Sequence, residues 1–306
     1  MATLKQKLFK KYSPKTESNL SVFSIIIVAL LLLYCAFLIF LFIWGLLATF
    51  KEPRFEFRGN PNGFPESFYL GNYTYALSKF NLTVTLPGGG ESVVGMPLMF
   101  LYGFIYAIGC ALAGTATPLV VGYITAKYNF KFSKIIYLVV IITMIIPIVG
   151  NLPAEISTAR ALGLFDSIPG LWIMKANFLG IYFIVFYNFF KNLPDAYNEA
   201  AKIDGASNLR TMLQIIIPLA APLFFTVLLI NFINFWNDYQ VPLVYLPTYP
   251  TIAVGMQYMA AGNEDMLQYV PVKLAAAVLM LVPILIVFLC THKKLLGNLT
   301  MGGIKG

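Results

Sequence analysis

The chain has 306 residues, of which 59% are hydrophobic and 11% charged, and its 21 basic and 13 acidic side chains give a formal net charge of +8. Soluble domains carry about a quarter charged residues, so this composition excludes an ordinary water-soluble domain and indicates a membrane protein. Cys35, Cys110 and Cys290 all lie in apolar runs. Their odd number and apolar surroundings argue against a disulfide framework and against a metal cluster.

Six apolar stretches are long enough to cross a bilayer, since a helix needs about 20 apolar residues to span about 30 Å of hydrocarbon. We therefore predict an all-α membrane protein with six transmembrane helices, at residues 21–50, 97–124, 133–150, 171–190, 216–236 and 272–291. Lys175 is the one charge in the fourth stretch, and we expect it to reach the interface by snorkelling. Residues 239–263 also lack charge, but their three prolines favour an external loop with a short helix.

Basic residues are distributed unevenly among the segments between the spans. Five lysines precede the first apolar run, and further basic residues lie at 127–134, 191–210 and 293–305. By the positive-inside rule these segments face the cytoplasm, which makes both termini cytoplasmic. The first run is too long for the apolar part of a signal peptide, so we predict a retained helix. The positive charge is spread out without a dense patch, which argues against a nucleic-acid partner.

These assignments divide the chain into four regions. Residues 1–50 form the cytoplasmic amino terminus and the first helix, and residues 51–92 form an extracytoplasmic loop. Residues 93–292 form the transmembrane core, which includes a cytoplasmic loop at 191–218, and residues 293–306 form a cytoplasmic tail.

The sequence lacks the motifs of an energy-converting enzyme. Gly88-Gly89-Gly90 is followed by glutamate and not by the lysine of a P-loop, so we predict an external turn there. There is no zinc motif, and the predicted spans contain no acidic residue that could couple transport to protons. The residues leave three possibilities: a passive pore, a structural subunit, or the membrane part of a machine that is powered elsewhere.

The cytoplasmic loop between the fourth and fifth spans carries a local helix signal. Pro194 suits the first turn of a short helix, and we expect this helix to end at Ile203 or Asp204, because Gly205 can take a left-handed conformation. A polar residue at 207–208 can then cap a second helix that leads into the membrane. The residues alone allow either a surface loop or a docking helix.

This loop resembles the EAA loop of ABC importer permeases. Glu199-Ala200-Ala201 is followed, at the family's spacing, by Gly205 and by an Ile-Ile-Ile-Pro run at 215–218, in which Ile217 replaces a leucine. The longer string EAAKIDGAS (199–207) most resembles the carbohydrate-uptake group, and within it the maltose-type second permease.

Three further stretches are similar to the same group: FWNDYQVPLVYL (235–246), TIAVGMQ (251–257) and LTMGGIKG (299–306). The resemblance covers about residues 93–306 and implies the type I fold of ABC importer permeases. It implies as partners a second, different permease in a heterodimer, two ATPase subunits and an extracytoplasmic substrate-binding protein. ATP and Mg would be bound by the ATPase subunits, and this chain would carry no cofactor.

In that family the loop helix sits in a groove of the ATPase subunit. The resemblance implies a charged or capping contact for Glu199, close approach at Ala200 and Ala201, and a turn at Gly205. The expected ATPase-coupling residues are Glu199, Ala200, Ala201, Ile203, Asp204 and Gly205. The tail residues Gly302, Gly303 and Lys305 are expected to contact the ATPase subunits.

The fifth helix carries a polar and aromatic face, in which Asn231, Asn234, Phe235 and Asp238 lie at positions i, i+3, i+4 and i+7. Amides and carboxylates bind sugar hydroxyls and aromatic rings stack on sugar faces, so these residues are a candidate substrate path. Asparagines can equally join helices to one another, and both interpretations stay open.

Two other features complete the predictions. The loop at 255–269 is expected to face the binding protein, through Gln257, Asn263, Glu264 and Asp265. A stripe of small residues in the second helix is expected to serve helix packing and consists of Gly103, Ala107, Ala111 and Gly114.

The predicted function is that of a permease subunit of an ATP-driven importer for carbohydrates in the cytoplasmic membrane of a bacterium. An oligosaccharide is the leading substrate. A phosphodiester such as a glycerol phosphate would need basic residues at the external mouth, where only Lys273 is near. A passive channel or scaffold subunit is the alternative of a different class, whereas no catalytic dyad or metal set supports a membrane enzyme.

Overall fold

The computed structural model describes residues 22–128, 130–146, 149–261 and 269–296, with side chains up to residue 291. The first part of the chain contains α1 (Val22–Ala48), α2 (Glu56–Gly59), α3 (Gly71–Lys79), β1 (Asn81–Thr85), β2 (Glu91–Gly95) and α4 (Met96–Lys127). The middle contains α5 (Ser133–Ile145), α6 (Leu152–Ala161), α7 (Ile168–Lys175), α8 (Ile181–Asn192), α9 (Ala196–Ile203) and α10 (Asn208–Thr211). The rest contains a π-helical segment (Met212–Ile216), α11 (Ile217–Leu219), α12 (Ala221–Asn237), α13 (Gln240–Tyr245), α14 (Ile252–Ala261) and α15 (Val270–Leu296).

Three helices in the described part of the chain are long and apolar enough to cross a membrane alone: α1, α4 and α15. A fourth span results if Asn208–Leu219 and α12, which meet at an angle of 72°, are counted as one. Pro218 and Pro222 flank this bend, and each removes a backbone donor from the helix ladder. The count of six spans and the cytoplasmic location of the termini stay predictions.

Helix α4 is the centre of the bundle and packs against α7, α8 and α12. Ala107 and Ala111 are fully buried, and a Cβ atom on Gly103 would lie 3.3 Å from Ile252 Cγ2. The predicted packing role is therefore confirmed for these three residues, because larger side chains would hold the neighbouring helices apart. Gly114, the fourth residue of the stripe, borders a cavity.

The prediction of one helix over residues 171–190 is wrong. Helix α7 ends at Lys175 and α8 begins at Ile181 after Gly180, whose φ of 133° is rarely accessible to other residues. A count of uncharged residues does not detect such a break. Unwound backbone at membrane depth is tolerated where it lines a cavity, as this segment does.

The first external loop contains a β-hairpin, so the all-α prediction needs a local correction. Strands β1 and β2 pair antiparallel from Asn81↔Gly95 to Thr85↔Glu91. The glycine triplet forms the predicted turn between them, where the N–H of Leu86 donates to the carbonyl of Gly90 at 2.7 Å. The alternating pattern of NLTVT and ESVVG was the available sequence signal for these strands.

Candidate functional site

Helix α9 ends where the sequence predicts, at Ile203, and Gly205 follows with a φ of 74°, the left-handed conformation that ends many helices. It begins at Ala196, so Pro194 precedes the N-cap residue Asp195 and does not lie in the first turn. The Ser207 hydroxyl accepts a hydrogen bond from the N–H of Arg210 at 3.3 Å and caps α10. The predicted end of α9 and the predicted cap of α10 are confirmed.

The expected coupling residues have different environments. Glu199, Ala200, Asp204 and Gly205 are exposed, and Ile203 is 86% exposed. Ala201 is only 3% exposed and faces the interior of the chain. The two neighbouring alanines therefore have different roles. Ala201 allows α9 to pack closely against its own chain, while Ala200 remains on the outer face.

Two polar contacts hold α9 to the charged end of α4. The Lys127 ammonium forms an ion pair with Asp195 Oδ1 at 2.6 Å and donates to the Leu193 carbonyl. The Tyr123 hydroxyl donates to Asn198 Oδ1 at 3.4 Å. The Lys127 side chain is 6% exposed but that of Asp195 is 74% exposed, so solvent screens the attraction between them. Lys127 is 68 positions from Asp195 in the chain, so the sequence indicated only its role as a topology charge.

A buried hydrogen bond joins the predicted polar face of α12 to α4. The Asn231 amide donates to the Thr115 hydroxyl at 2.9 Å, and Asn231 is 6% exposed. This contact supports the helix-joining interpretation of Asn231. Its side chain also borders a cavity together with Phe235, which supports the substrate-path interpretation as well.

Asp238, at the end of α12, is fully engaged within the chain. Its Oδ2 accepts from the Tyr106 hydroxyl at 3.0 Å, and its Oδ1 accepts from the N–H groups of Gln240 and Val241. Asn234 is exposed and lines a second, more open cavity with Asp238. Asn231 borders only the first cavity, Asn234 and Asp238 border only the second, and Phe235 borders both. The substrate-path role of the four residues stays a prediction.

The cavity beside Asn231 and Phe235 has a volume of about 150 Å³. It lies between α4, α12 and the break between α7 and α8, and it is lined by Gly114, Pro118, Lys175, Asn177, Phe178, Leu179, Gly180, Tyr182, Phe183, Asn231 and Phe235. Lys175 borders this cavity and is partly exposed, and its predicted reach to the interface stays a prediction. Polar groups and aromatic rings together are suited to a carbohydrate.

Carboxylates join the segment around α6 to the segment around α13. Asp166 Oδ2 accepts from the Thr248 hydroxyl at 2.6 Å, and Glu155 accepts from the Tyr245 hydroxyl at 3.3 Å. Burial raises the pKa of the Tyr245 phenol, and the nearby Glu155 carboxylate raises it further. Gln257 is exposed on α14, as a contact with a binding protein requires.

Several predicted site residues lie outside the described residues: Asn263, Glu264, Asp265, Gly302, Gly303 and Lys305. Among the residues that the structure describes, no group of three His, Cys, Asp or Glu side chains could hold a metal ion.

A family model for the binding-protein-dependent transport system inner membrane component matches residues 118–295. The chain belongs to this family. The match includes α9 and both sides of the cavity, and it identifies the chain as a multi-pass inner membrane transport subunit and not an enzyme. The predicted resemblance to ABC importer permeases of the carbohydrate-uptake group is confirmed.

Individual relatives extend this family assignment. The chain is 27% identical over 277 residues to the diacetylchitobiose uptake system permease protein NgcG of Streptomyces coelicolor, covering 90% of this chain and 86% of that protein. It is 27% identical over 209 residues to the sn-glycerol-3-phosphate transport system permease protein UgpE of Pectobacterium atrosepticum, covering 67% and 74%.

The fold also matches a solved permease. The structure superposes on a chain of a bacterial ABC transporter involved in the import of the acidic polysaccharide alginate with a TM-score of 0.69, at 21% identity. The match covers 92% of this chain and 99% of the other. The ABC importer permease fold is therefore established for this family member.

Proposed function

We propose that the chain imports carbohydrate by alternating access and that helix α9 receives the driving motion from an ATPase subunit. The observation that carries the proposal is the position of α9. Its outer face, with Glu199, Ala200 and Ile203, is free for a partner, while Lys127 and Tyr123 fix its inner face to α4. Since α4 also borders the cavity at Gly114, one helix connects the docking surface to the cargo path.

The proposed assembly contains this chain, a second, different permease, two ATPase subunits and an extracytoplasmic substrate-binding protein. The family description supports the dependence on a binding protein. ATP and Mg would be bound by the ATPase subunits, and the tail residues Gly302, Gly303 and Lys305 would contact those subunits. The exposed Gln257 and the neighbouring residues Asn263, Glu264 and Asp265 would face the binding protein.

Relatives with carbohydrate cargo support the substrate class. Their names include diacetylchitobiose, trehalose and arabinooligosaccharides, so an oligosaccharide is the leading cargo. The amide of Asn231 and the ring of Phe235 at the cavity suit a sugar's hydroxyls and its C–H face. A glycerol phosphate is the second candidate, favoured by the similarity to glycerol-3-phosphate permeases.

Two variants separate a coupled importer from a passive channel or scaffold. Glu199→Arg changes the charge of the docking face, and Gly205→Pro imposes a negative φ where the chain has 74°. In proteoliposomes with all subunits, we expect both variants to lose ATP-dependent uptake while still inserting into the membrane. Glu66→Arg, the same charge change on the exposed external loop, is the control and should retain uptake. Undiminished uptake by both variants would show that α9 does not couple transport to ATP.

A further inference from the structure

The backbone of Lys175 lies against the middle of α4. Its carbonyl oxygen is 3.5 Å from the position of a Cβ on Gly114. Gly114 is thirteen residues, or about 20 Å, from the charged end of α4 at Lys127. With Lys127 at its predicted cytoplasmic interface, a hydrocarbon core about 30 Å thick contains the backbone of Lys175. Ionisable residues at this depth typically mark a substrate path.

The ammonium group of Lys175 has no acceptor within the part of the chain that the structure describes. Among these residues the one ion pair within 4 Å joins Lys127 and Asp195. Lys175 is close enough to act electrostatically on the buried Cys110 thiol, and so is Asp238. Both Asp238 oxygens accept hydrogen bonds from other groups, and Asp238 forms no ion pair with Lys175. Among the described residues, Lys175 therefore has no directly bound acidic partner.

The surroundings of Lys175 are those of a binding cavity. The cavity of about 150 Å³ is also lined by Asn177 and Asn231, whose amides can bind hydroxyl groups. The amino-terminal end of the twelve-residue helix α8 lies at the same cavity, at Gly180 and Tyr182, and adds the positive end of a helix dipole. Interrupted helices of transporters place their positive ends toward anionic groups in this way.

We propose that Lys175 binds an acidic group of the cargo, a carboxylate or a phosphate, as it passes through the cavity. This inference rests on the proposed import function and narrows the substrate class to carbohydrates that carry a negative charge. An anion and the ammonium group are each unfavourable at this depth, and each compensates the other when they pair. The basic residue that an anionic cargo requires is thus inside the bundle and not at the external mouth, where the sequence analysis sought it.

The test uses the complete transporter in proteoliposomes with its binding protein and matched pairs of labelled probes. Digalacturonate is compared with its neutral counterpart galactobiose, and sn-glycerol 3-phosphate with glycerol. The variants are Lys175→Gln, which removes the charge, and Lys175→Arg, which retains it. Lys134→Gln removes a charge from the exposed surface of α5 and serves as the control.

We expect ATP-dependent uptake of an acidic probe and a decrease of about tenfold or more in Lys175→Gln, since a hydrogen bond to a charged group is lost. Lys175→Arg should retain most of the uptake, and Lys134→Gln should match the unmodified protein. ATP-dependent uptake of the neutral probes alone, equal in Lys175→Gln, would overturn the inference and leave the import function intact. Failure of both Lys175 variants to co-purify with the second permease would assign Lys175 to assembly and also overturn it. Absence of uptake of both acidic probes by an assembled, ATP-hydrolysing transporter would also overturn the inference, whereas uptake that does not depend on ATP would contradict the proposed import function itself.

Discussion

Asn231 lies in α12 and Asp238 directly follows the last residue of that helix, and their side chains have different partners. Asn231 donates to Thr115 and borders the cavity, whereas the carboxylate of Asp238 is occupied by Tyr106 and two backbone N–H groups. Helical spacing was the signal that grouped the two residues. It could not predict the partners, because Thr115 and Tyr106 lie 116 and 132 positions away in the chain.

The two interpretations of Asn231 can be separated by a matched pair of variants. Asn231→Ala removes both the helix contact and the amide at the cavity, while Thr115→Val removes only the helix contact. Each should lower the stability of the purified complex by about 1 kcal/mol, as expected for a hydrogen bond between membrane helices. We expect a much larger loss of carbohydrate uptake for Asn231→Ala. Equal uptake by the two variants at equal melting temperature would leave Asn231 with a packing role alone.

The short helix α9 could be predicted from the sequence, but the break between α7 and α8 could not. The signals for α9 are local, namely Pro194 before it, Gly205 after it and Ser207 at the next cap. The break at residues 176–180 lies within an apolar stretch of spanning length whose one charge is Lys175, and only Gly180 hinted at it. Its position is determined by packing, because α7 and α8 both lie against α4.

The contact between α9 and α4 includes the ion pair of Lys127 with Asp195. Lys127→Asp places two carboxylates together, which should loosen α9 from α4. We expect ATP hydrolysis by the assembled transporter to continue while uptake per ATP falls several-fold. Combining Lys127→Asp with Asp195→Lys restores opposite charges and should recover most of the uptake. Lys131→Asp, an exposed charge reversal at the same end of the molecule, is the control and should leave uptake unchanged. A double variant no better than Lys127→Asp alone would contradict this role of the pair.

Helix α4 joins the docking surface on α9 to the cavity beside Asn231. Lys127 holds α9 at one end, and Gly114 borders the cavity about 20 Å away along the same helix. Helix α4 is continuous over this distance, although Pro118 removes one backbone donor from its hydrogen-bond ladder. The membrane character and the family of the chain were predictable from composition and from the loop motif. The connection through α4 was not, because it depends on side chains that are distant in the sequence.

We propose that an ATPase subunit drives import through the outer face of α9. Ile203 lies on that face, and its substitution tests the proposal directly. Its side chain is 86% exposed, so Ile203→Asp leaves the packing within the chain intact. Leu162→Asp, at a side chain that is 66% exposed next to α6, is the matched control. The measurement is ATP-dependent carbohydrate uptake in proteoliposomes, together with the amount of ATPase subunit that co-purifies. We expect Ile203→Asp to lose both and Leu162→Asp to retain both. Full uptake and full co-purification in Ile203→Asp would contradict the docking of an ATPase subunit on α9.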